Sequence, residues 1–478
     1  MDGYETYDAT GLAALVADGE VAPDALLDAA LMRVEAAGAL NAVVLVEAGA
    51  ARRAIRDGLP EGPFRGVPFL LKDLGAEAVN FPSTGGSRLT ANTRWRYDSE
   101  IFRRIRATGM VTFGRTASPE GGIGPVTEAA VYGGPTRNPW DPRRTPGGSS
   151  GGAGAAVAAG IVPLAHGSDG GGSVRIPASC CGLLGFKATR ARFPDGPAAG
   201  EGWAGMAIDG FLARSVRDAA AMMDACAGPD LGAPYVAPPM PVSFGEAIVR
   251  PPARLRVGVC DTTFEGRAIH PECRRAVGEA ARLLEGLGHH VEPLVPQANH
   301  GGMMRAWTGI VACGAASWVR AALRGRPLER GDVEGVTRGA VLYAEGISGA
   351  DYLDAVGVVH AYGRAMARAM AGVDVLLSAT LAEPPALVGR FAHDMDDYEA
   401  FRIGPEGVFG YSPFCAAFNA SGQPAVSVPL HWTADGLPVG VHLAARFGDD
   451  ATLLSLCGEL EVARPWFGRR PPSLRLAK

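Results

Sequence analysis

Two clusters of glycine and serine, separated by a short apolar stretch, constrain the fold of this chain more than any other feature. The first cluster, GGSSGG, covers residues 147–152, and the second, DGGGS, covers residues 169–173. Between them, small residues at 153–159 predict a helix and the apolar run at 161–165 predicts a strand. Because glycine is unfavourable inside regular elements, both clusters are expected to form tight turns with exposed backbone N–H groups.

The second cluster has the composition of an anion-binding turn. Successive backbone N–H groups in residues 170–173 can converge on one point and form a concave nest for negative charge. Beside the Ser173 hydroxyl, such a nest is a candidate oxyanion hole, in which one donor is typically worth about 3 to 4 kcal/mol of barrier stabilisation. An ordinary glycine-rich turn is the alternative that this pattern alone leaves open.

A serine nucleophile needs a neighbouring base, and Lys72 is the candidate. A hydroxyl is a weak nucleophile until a neighbour accepts its proton. His166 is interpreted as a core or supporting side chain, whereas Lys72 ends the predicted strand at residues 66–71, where active sites of α/β proteins gather. Burial favours the uncharged form, and a pKa about three pH units below the reference value corresponds to roughly 4 kcal/mol. A solvent-exposed lysine at a strand end is the alternative.

Short apolar runs alternate with helical stretches, which indicates an α/β fold. The pattern predicts a central, largely parallel or mixed twisted sheet with helices on both faces. The predicted strands are residues 41–46, 66–71, 110–113, 161–165, 255–259, 290–294 and 373–378, with a hairpin at 424–445. The predicted helices are residues 22–37, 99–108, 153–159, 216–227 with Ser215 as cap, 270–286 and 451–462. We expect a single domain over residues 1–478, with its core at about 60–200 and a long surface connection at 229–252.

Charge and composition argue against several classes of partner. The formal net charge is -5, from 45 basic and 50 acidic residues without a long run of either sign, so no nucleic-acid partner is expected. The acidic start of the chain differs from a secretory signal, and no apolar run is long enough to span a membrane. A cytoplasmic location is therefore expected. The 8 cysteines are too sparse for a disulfide scaffold and lack the spacing of zinc ligands, so no metal is predicted.

Six motifs occur in an order that resembles the amidase signature family, and the resemblance covers nearly the whole chain. The motifs are GVPFLLKD at 66–73, PTRNPWD at 135–141, GGSSGG at 147–152, GSDGGGSVRIPASCCGLLGFK at 167–187, FNASGQPAVSVP at 418–429 and DGLPVGVHLAA at 435–445. The resemblance implies the amidase signature fold and an amide hydrolase that uses neither metal nor cofactor. It also implies a catalytic triad of Ser173 as nucleophile, Ser149 as a proton relay held by a cis peptide bond, and Lys72 as base.

The resemblance also implies which residues surround this triad. The implied oxyanion donors are the backbone N–H groups of Gly170, Gly171, Gly172 and Ser173. The residues expected to support the loop and the triad are Asp169, Arg175 and Ser150. In the implied mechanism, the nucleophile forms an acyl-enzyme and water then hydrolyses it.

The substrate is expected to be a small linear or cyclic amide. Among family members, the chain is most similar to enzymes that open small cyclic amides, through LLKDL, TRNPW, AHG and SVRIPASCCG. Gly170 stands where a larger side chain is common, so a wider acyl site or a looser oxyanion loop is expected. Candidate pocket residues from the second half of the chain are Cys313 and Asn419, with Trp307, Tyr398 and Phe409 as further possibilities. A homodimer is expected by resemblance.

Three other interpretations remain open at this stage. Residues 148–152 also fit G-x-S-x-G, the nucleophile elbow of α/β-hydrolases, with Ser150 as nucleophile, although that motif requires a strand directly before it. The glutamine-hydrolysing subunit of an aminoacyl-tRNA amidotransferase shares the fold and the triad, but usually has a polar residue at the position of Ile176. A binding protein that keeps the scaffold without turnover is the third alternative.

Overall fold

Helices and strands alternate along most of the chain. The computed structural model describes residue 1 and residues 3–391 and 393–472. The strands are β1 (Val43–Val46), β2 (Pro68–Lys72), β3 (Val111–Thr116), β4 (Leu164–Asp169), β5 (Leu184–Lys187), β6 (Ile208–Ala213), β7 (Arg256–Val259), β8 (His290–Pro293), β9 (Val375–Ala379), β10 (Ala425–Trp432) and β11 (Pro438–Ala445). The helices are α1 (Ala9–Ala17), α2 (Pro23–Ala36), α3 (Ala48–Asp57), α4 (Glu100–Ala107), α5 (Gly151–Ala158), α6 (Arg175–Cys181), α7 (Val216–Cys226), α8 (Phe244–Ile248), α9 (Pro271–Gly286), α10 (His300–Leu323), α11 (Gly335–Glu345), α12 (Gly349–Ala369), α13 (Tyr398–Ile403), α14 (Val408–Tyr411), α15 (Cys415–Ser421) and α16 (Asp450–Ala463).

A large mixed sheet forms the centre of the molecule and is flanked by helices. Its strand order is β4-β6-β5-β10-β11-β9-β7-β8. The predicted α/β class and mixed sheet are confirmed. The sheet is nevertheless mainly antiparallel rather than largely parallel, since only β7 with β8 and β7 with β9 pair in parallel among its described strands. One reason is that β6 enters between β4 and β5 and pairs antiparallel with both.

A second, smaller sheet carries Lys72. Its order is β1-β3-β2, with β2 parallel to β3 and β1 antiparallel to β3. All five residues of β2 are buried, as its apolar sequence PFLL predicts, and Lys72 is its last residue. Strands β2 and β4 lie in contact. This contact between the two sheets brings the strand-end lysine next to the second glycine cluster.

The boundaries of two predicted strands differ from the structure. The strand predicted at 161–165 is β4, which begins at Leu164 and continues to Asp169, because its backbone pairs with β6 along its whole length. Similarly, β3 continues to Thr116, where it pairs with Lys72 of β2. Both predictions ended too early, because they followed the apolar residues alone. The last residues of each strand are glycine and polar residues, which still form the hydrogen bonds of the sheet. The predicted cap is confirmed, because the Ser215 side chain accepts a hydrogen bond from the Asp218 N–H at the start of α7.

The helices α10, α11 and α12 form a layer for which the sequence pattern gave no prediction. Helix α10 packs against α11 and α12 and also contacts α13 and α15. Its first half is largely buried and carries Trp307, which reaches the second glycine cluster. Within the predicted connection at 229–252, the structure has the short helix α8. Across the described residues, no helix combines the length and apolarity that crossing a membrane requires.

Candidate active site

Lys72 is completely buried at the point where β2 ends. Its Nζ lies 2.7 Å from the Oγ of Ser149 and 2.9 Å from the Oγ of Ser168. The backbone N–H of Lys72 donates to Nδ1 of His166, and Nε2 of His166 lies 3.0 Å from an oxygen of Asp209. His166 is therefore a buried side chain that supports the lysine strand, as the sequence indicated. The alternative of a lysine in solvent is wrong, because Lys72 has no exposed surface.

The surroundings of Lys72 favour its uncharged form. Burial lowers the pKa of Lys72 from 10.5 to about 7, and the more distant negative charges of Asp209 and Asp169 only partly oppose this effect. Among the described residues, no carboxylate contacts the Lys72 Nζ, and a buried ammonium there would lose hydration that the two serine hydroxyls replace only in part. At neutral pH a large fraction of Lys72 is therefore a free amine, able to accept a proton.

The first glycine cluster turns the chain directly before α5. The peptide bond between Gly148 and Ser149 is cis, as the resemblance implies. The N–H of Ser150 donates to the carbonyl of Ser173 at 3.2 Å, and the Oγ of Ser150 exchanges hydrogen bonds with the backbone of Ser168. The two glycine clusters are thus tied together through Ser150, which fixes the position of Ser149 relative to Ser173.

Ser173 borders a cavity of about 370 Å³, its opening included. Among the described residues, no hydrogen bond is formed by the Ser173 hydroxyl, which leaves it free to approach a bound molecule. The cavity is lined by Gly122, Gly124, Pro125, Gly171, Ser173, Ile176, Trp203, Trp307, Arg402, Val408, Phe409 and Ser412.

The loop that carries Ser173 is held by a buried ion pair. Asp169 accepts hydrogen bonds from the side chain of Arg175 at 2.8 and 3.0 Å, and both side chains are fully buried. Burial raises the pKa of Asp169, but the charge and hydrogen bonds of Arg175 and a hydrogen bond from Asn419 outweigh burial and hold that pKa well below its ordinary value. Asp169 also accepts from the backbone N–H of Gly172 and Val174. Asp169 and Arg175 therefore hydrogen-bond within and beside the loop that carries Ser173, and their supporting role in catalysis stays a prediction.

The four predicted oxyanion donors do not all face the cavity. The N–H of Gly172 donates to Asp169 at 2.8 Å, so this donor is already occupied within the loop. Gly170 and Gly172 are buried, whereas Gly171 and Ser173 are half-buried and line the cavity. The prediction for Gly172 therefore needs correction, because the buried carboxylate captures its N–H. Of the four residues, Gly171 and Ser173 line the cavity.

Gly170 neither widens the cavity nor loosens the loop. A Cβ at this position would collide with the ring of Trp203, so the indole occupies the space that a larger side chain would fill. The Nε1–H of Trp307 donates to the carbonyl of Gly170 at 3.0 Å, which fixes the peptide plane between Gly170 and Gly171. The rings of Trp203 and Trp307 meet edge to face at 5.8 Å between centroids. The expectation of a wider or looser site is wrong for this reason.

The candidate pocket residues fall into two groups. Trp307 and Phe409 line the cavity and are in edge-to-face contact with each other. Asn419 lies behind the loop, where its amide bonds Arg175 and Asp169, and it is not among the cavity-lining residues that the structure describes. Cys313, on α10, is also absent from that lining. Substrate binding by Asn419 and Cys313 stays a prediction, and Trp203, Arg402 and Ser412 are lining residues that the sequence did not indicate.

Two further buried groups complete the surroundings of Arg175. The Nε2 of His442 lies 3.0 Å from a guanidinium nitrogen of Arg175, and burial followed by the charge of Arg175 lowers the pKa of His442 well below its ordinary value. His442 is therefore neutral and accepts a hydrogen bond from Arg175. Lys187 is fully buried as well, and burial lowers its pKa to about 7. Its Nζ donates to the carbonyl of Ala188 and has no contact with the triad candidates.

The nucleophile-elbow interpretation of Ser150 does not fit the structure. The described segment 146–150 contains bends and irregular backbone but no strand, whereas an elbow requires a strand directly before the serine. Ser150 is fully buried and its hydroxyl is bonded to the backbone of Ser168. An arrangement of this kind supports the neighbouring serine rather than exposing a nucleophile.

The α/β fold, a buried lysine of lowered pKa beside a serine, and a cavity with a second serine define an enzyme that activates hydroxyl groups. A family model described as Amidase matches residues 25–454, which is most of the chain. The chain therefore belongs to the amidase family, and it is an enzyme that acts on carbon–nitrogen bonds other than peptide bonds.

Individual amidases and related hydrolases are similar to this chain over almost its whole length. The 6-aminohexanoate-cyclic-dimer hydrolase of Paenarthrobacter ureafaciens is 37% identical over 481 residues, which is 98% of this chain and 97% of that protein. A putative amidase of Mycobacterium leprae is 35% identical, over 97% of each chain. A solved structure of 6-aminohexanoate cyclic dimer hydrolase complexed with substrate matches with a TM-score of 0.93 and 36% identity, over 99% of this chain and 100% of that chain. The expected resemblance to hydrolases of cyclic amides is confirmed.

Proposed function

We propose that the chain hydrolyses the C–N bond of a small linear or cyclic amide through an acyl-enzyme formed on Ser173. The observation that carries this proposal is the contact of 2.7 Å between the Nζ of Lys72 and the Oγ of Ser149. It is supported by the lowered pKa of Lys72 and by the position of Ser173 in the wall of the cavity. The substrate named for the relatives, a cyclic dimer of 6-aminohexanoate, is a molecule of the proposed class.

In the proposed acylation step, the Ser173 Oγ attacks the amide carbonyl carbon and passes its proton to the Oγ of Ser149. Ser149 in turn passes its own proton to the uncharged Nζ of Lys72, which becomes an ammonium. When the tetrahedral intermediate collapses, the C–N bond breaks and the leaving nitrogen takes a proton back along the same path. Water then attacks the acyl group on Ser173, the path carries the proton again, and the acid leaves.

We assign stabilisation of the oxyanion to the backbone N–H groups of Gly171 and Ser173. Gly171 and Ser173 line the cavity, and neither backbone N–H donates to another described residue. Fixed donors that do not reorganise during the reaction stabilise developing negative charge strongly. The hydrogen bond from Trp307 to the Gly170 carbonyl supports this assignment, because it sets the direction of the Gly171 N–H across the same peptide plane.

The remaining features of the proposal concern the state of the protein. We propose a single amidase domain that works without metal or cofactor, as a homodimer in the cytoplasm, without nucleic acid or membrane as partner. The 8 cysteines are all free, which suits a reducing compartment. Sedimentation of the purified protein tests the dimer, and an intact mass with 8 alkylatable thiols tests the redox state.

A hydrolysis panel tests the substrate class. It should contain linear aliphatic amides, aryl amides, cyclic oligoamides and glutamine, each at several concentrations so that kcat/KM is obtained. We expect cyclic or linear amides without the glutamine skeleton to give the largest values. A preference for glutamine would favour the amidotransferase interpretation instead, and negligible turnover of every compound would contradict the proposed substrate class.

Serine variants test the assignment of the nucleophile. Ser173→Ala should lower kcat by about 10⁴-fold or more and abolish covalent labelling by a fluorophosphonate probe, because the attacking oxygen is gone. Ser149→Ala should lower kcat by about 10² to 10⁴-fold, the usual contribution of a proton relay. Ser150→Ala is the matched control, because Ser150 lies in the same turn as Ser149. In this variant the probe should still label Ser173. Mapping the label to Ser150 in the wild-type chain would overturn the assignment.

A further inference from the structure

Arg402 is a buried cation in the wall of the cavity that holds Ser173. It lies on α13, only 3% of its surface is exposed, and it is one of the residues that line the cavity. Its Nε and Nη2 atoms are fully buried and have no hydrogen-bond partner among the described residues. These two nitrogens form one edge of the planar guanidinium, the edge that binds both oxygens of a carboxylate in parallel.

Other buried arginines of this chain are bonded to oxygen atoms. The guanidinium of Arg175 bonds the carboxylate of Asp169, and that of Arg115 bonds the carbonyls of Phe81 and Lys72. Arg402 differs from both, because no described carboxylate or carbonyl occupies its Nε and Nη2 edge. Charged groups are rarely buried in proteins without such a partner. The free edge of Arg402 therefore requires a separate explanation.

The aromatic rings around Arg402 offset only part of the free-energy cost of burying its charge. Its guanidinium carbon lies 4.9 Å from the centre of the Trp307 ring and 5.0 Å from that of Tyr398. Cation–π contacts offset only part of the free energy lost when a guanidinium leaves water. The hydroxyl of Tyr398 is close enough for Arg402 to oppose the rise in the pKa of Tyr398 that burial causes, but no hydrogen bond of acceptable geometry joins them.

A second polar group in the same cavity lacks a partner. The Oγ of Ser412 is buried without a hydrogen bond to any described residue, although it is near enough to Cys415 to lower the pKa of that thiol slightly against the larger effect of burial. Ser412 lines the cavity together with Arg402 and Ser173. The unpaired guanidinium edge of Arg402 and the unpaired hydroxyl of Ser412 belong to residues that line the same cavity as Ser173, and both are donors that a carboxylate can accept from.

We propose that Arg402, with Ser412 beside it, binds a carboxylate of the substrate, so that the preferred substrates are amides that carry a carboxylate on the part held in this cavity. The inference rests on the proposed amide hydrolysis at Ser173 and adds a substrate class to it. Arg402 is a binding residue in this scheme and takes no part in proton transfer. An amide that carries a neutral group in place of this carboxylate leaves the Arg402 guanidinium unpaired. Such an amide binds more weakly, because it lacks the hydrogen bonds that the carboxylate would form.

Matched pairs of amides test this inference. One pair carries the carboxylate on the acyl side, glutaric acid monoanilide against its methyl ester. The other carries it on the amine side, 6-acetamidohexanoate against N-hexylacetamide. For the wild-type enzyme we expect kcat/KM to be about 100-fold higher for the acid in at least one pair, the advantage of a charge-assisted double hydrogen bond. Measurable hydrolysis with equal kcat/KM values within both pairs would overturn the inference.

Variants of Arg402 locate the effect. Arg402→Gln should abolish the ratio of kcat/KM between the acid and its neutral counterpart, and Arg402→Lys should retain part of that ratio. Arg390→Gln is the matched control, because Arg390 also lies over aromatic rings but is paired with Glu383. It should keep the full preference. Probe labelling of Ser173 in each variant shows that the fold and the nucleophile are intact, and an unchanged preference in Arg402→Gln refutes the assignment.

Binding measurements separate this inference from the proposed reaction. Calorimetry on Ser173→Ala, which cannot form an acyl-enzyme, should show the acid of one pair binding about 100-fold more tightly than its neutral counterpart, with the difference lost on adding Arg402→Gln. If the wild-type enzyme hydrolyses none of the four compounds but this binding difference is present, the proposed reaction fails and the carboxylate site stands. If hydrolysis occurs and the difference in binding is absent, the carboxylate site alone fails.

Discussion

Replacing Lys72 by methionine tests whether this lysine is held uncharged in the folded protein. Burial lowers the pKa of Lys72 from 10.5 to about 7. At about 1.4 kcal/mol for each tenfold change in proton affinity, this difference corresponds to about 5 kcal/mol. Methionine has a similar length and no titratable group, so the variant removes the proton acceptor together with the cost of burying it.

The pH dependence of stability has a definite sign. Below about pH 7, both the folded and the unfolded states hold the Lys72 proton, and the folded state is penalised by a buried charge. Between about pH 7 and 10.5 the unfolded state binds a proton that the folded state does not, so the free energy of unfolding rises with pH. Relative to Lys72→Met, the wild-type protein should therefore gain about 3 kcal/mol between pH 6 and pH 9.

Urea unfolding and steady-state kinetics measure this prediction. Lys187→Met is the matched control, since Lys187 is also fully buried with a pKa lowered to about 7 but does not contact Ser149. Both variants should show the same pH-dependent difference in unfolding free energy from the wild type. Lys72→Met should lose about 10³-fold in kcat at pH 8, whereas Lys187→Met should retain a kcat/KM that falls tenfold per pH unit below about pH 7. A constant difference in stability between wild type and Lys72→Met from pH 6 to 9 would refute the reasoning.

Three further substitutions probe the loop around the nucleophile. Trp307→Phe removes the hydrogen bond to the Gly170 carbonyl, and kcat should fall about tenfold with little change in KM. A rise in KM as large as the fall in kcat would contradict the role of Trp307 in positioning the peptide between Gly170 and Gly171. Asp169→Asn leaves Arg175 buried without its ion-pair partner, so urea unfolding should show a loss of about 3 to 5 kcal/mol, and a loss below about 1 kcal/mol would contradict this. Gly172 has a φ of 124°, so Gly172→Ala should displace the loop and abolish probe labelling, and normal labelling would show that the loop tolerates a side chain.

Ser173 and Lys72 could be predicted because each lies in a short motif whose residue types are chemically unusual, whereas Ser149 as a proton relay followed only from the resemblance to the amidase signature family. A lysine directly after an apolar strand and serines inside glycine clusters are visible without knowledge of the fold. The structure brings Lys72 within 2.7 Å of Ser149 although 77 positions separate them. The resemblance also implied that Asp169 and Arg175 support the loop, but the ion pair between them became visible only in the structure.

The walls of the cavity could not be predicted, because tertiary packing alone brings them together. Trp203 lies in a turn after β5, Arg402 on the short helix α13 and Ser412 directly after α14, and none belongs to a periodic pattern. The use of the Gly172 N–H by Asp169 was invisible for the same reason. The sequence shows that a glycine loop can present donors, but only the fold decides which of them a neighbouring carboxylate captures.

The packing of Trp203 against two glycines restricts how the sequence of this enzyme can diverge. The indole occupies space that is open only because two distant positions lack a side chain: a Cβ on Gly170 would collide with the ring, and one on Gly314 would come within 2.8 Å of it. Either glycine can gain a side chain only after the indole has been replaced by something smaller. The order of mutations is thereby restricted, and lineages that keep the tryptophan are expected to keep both glycines as well.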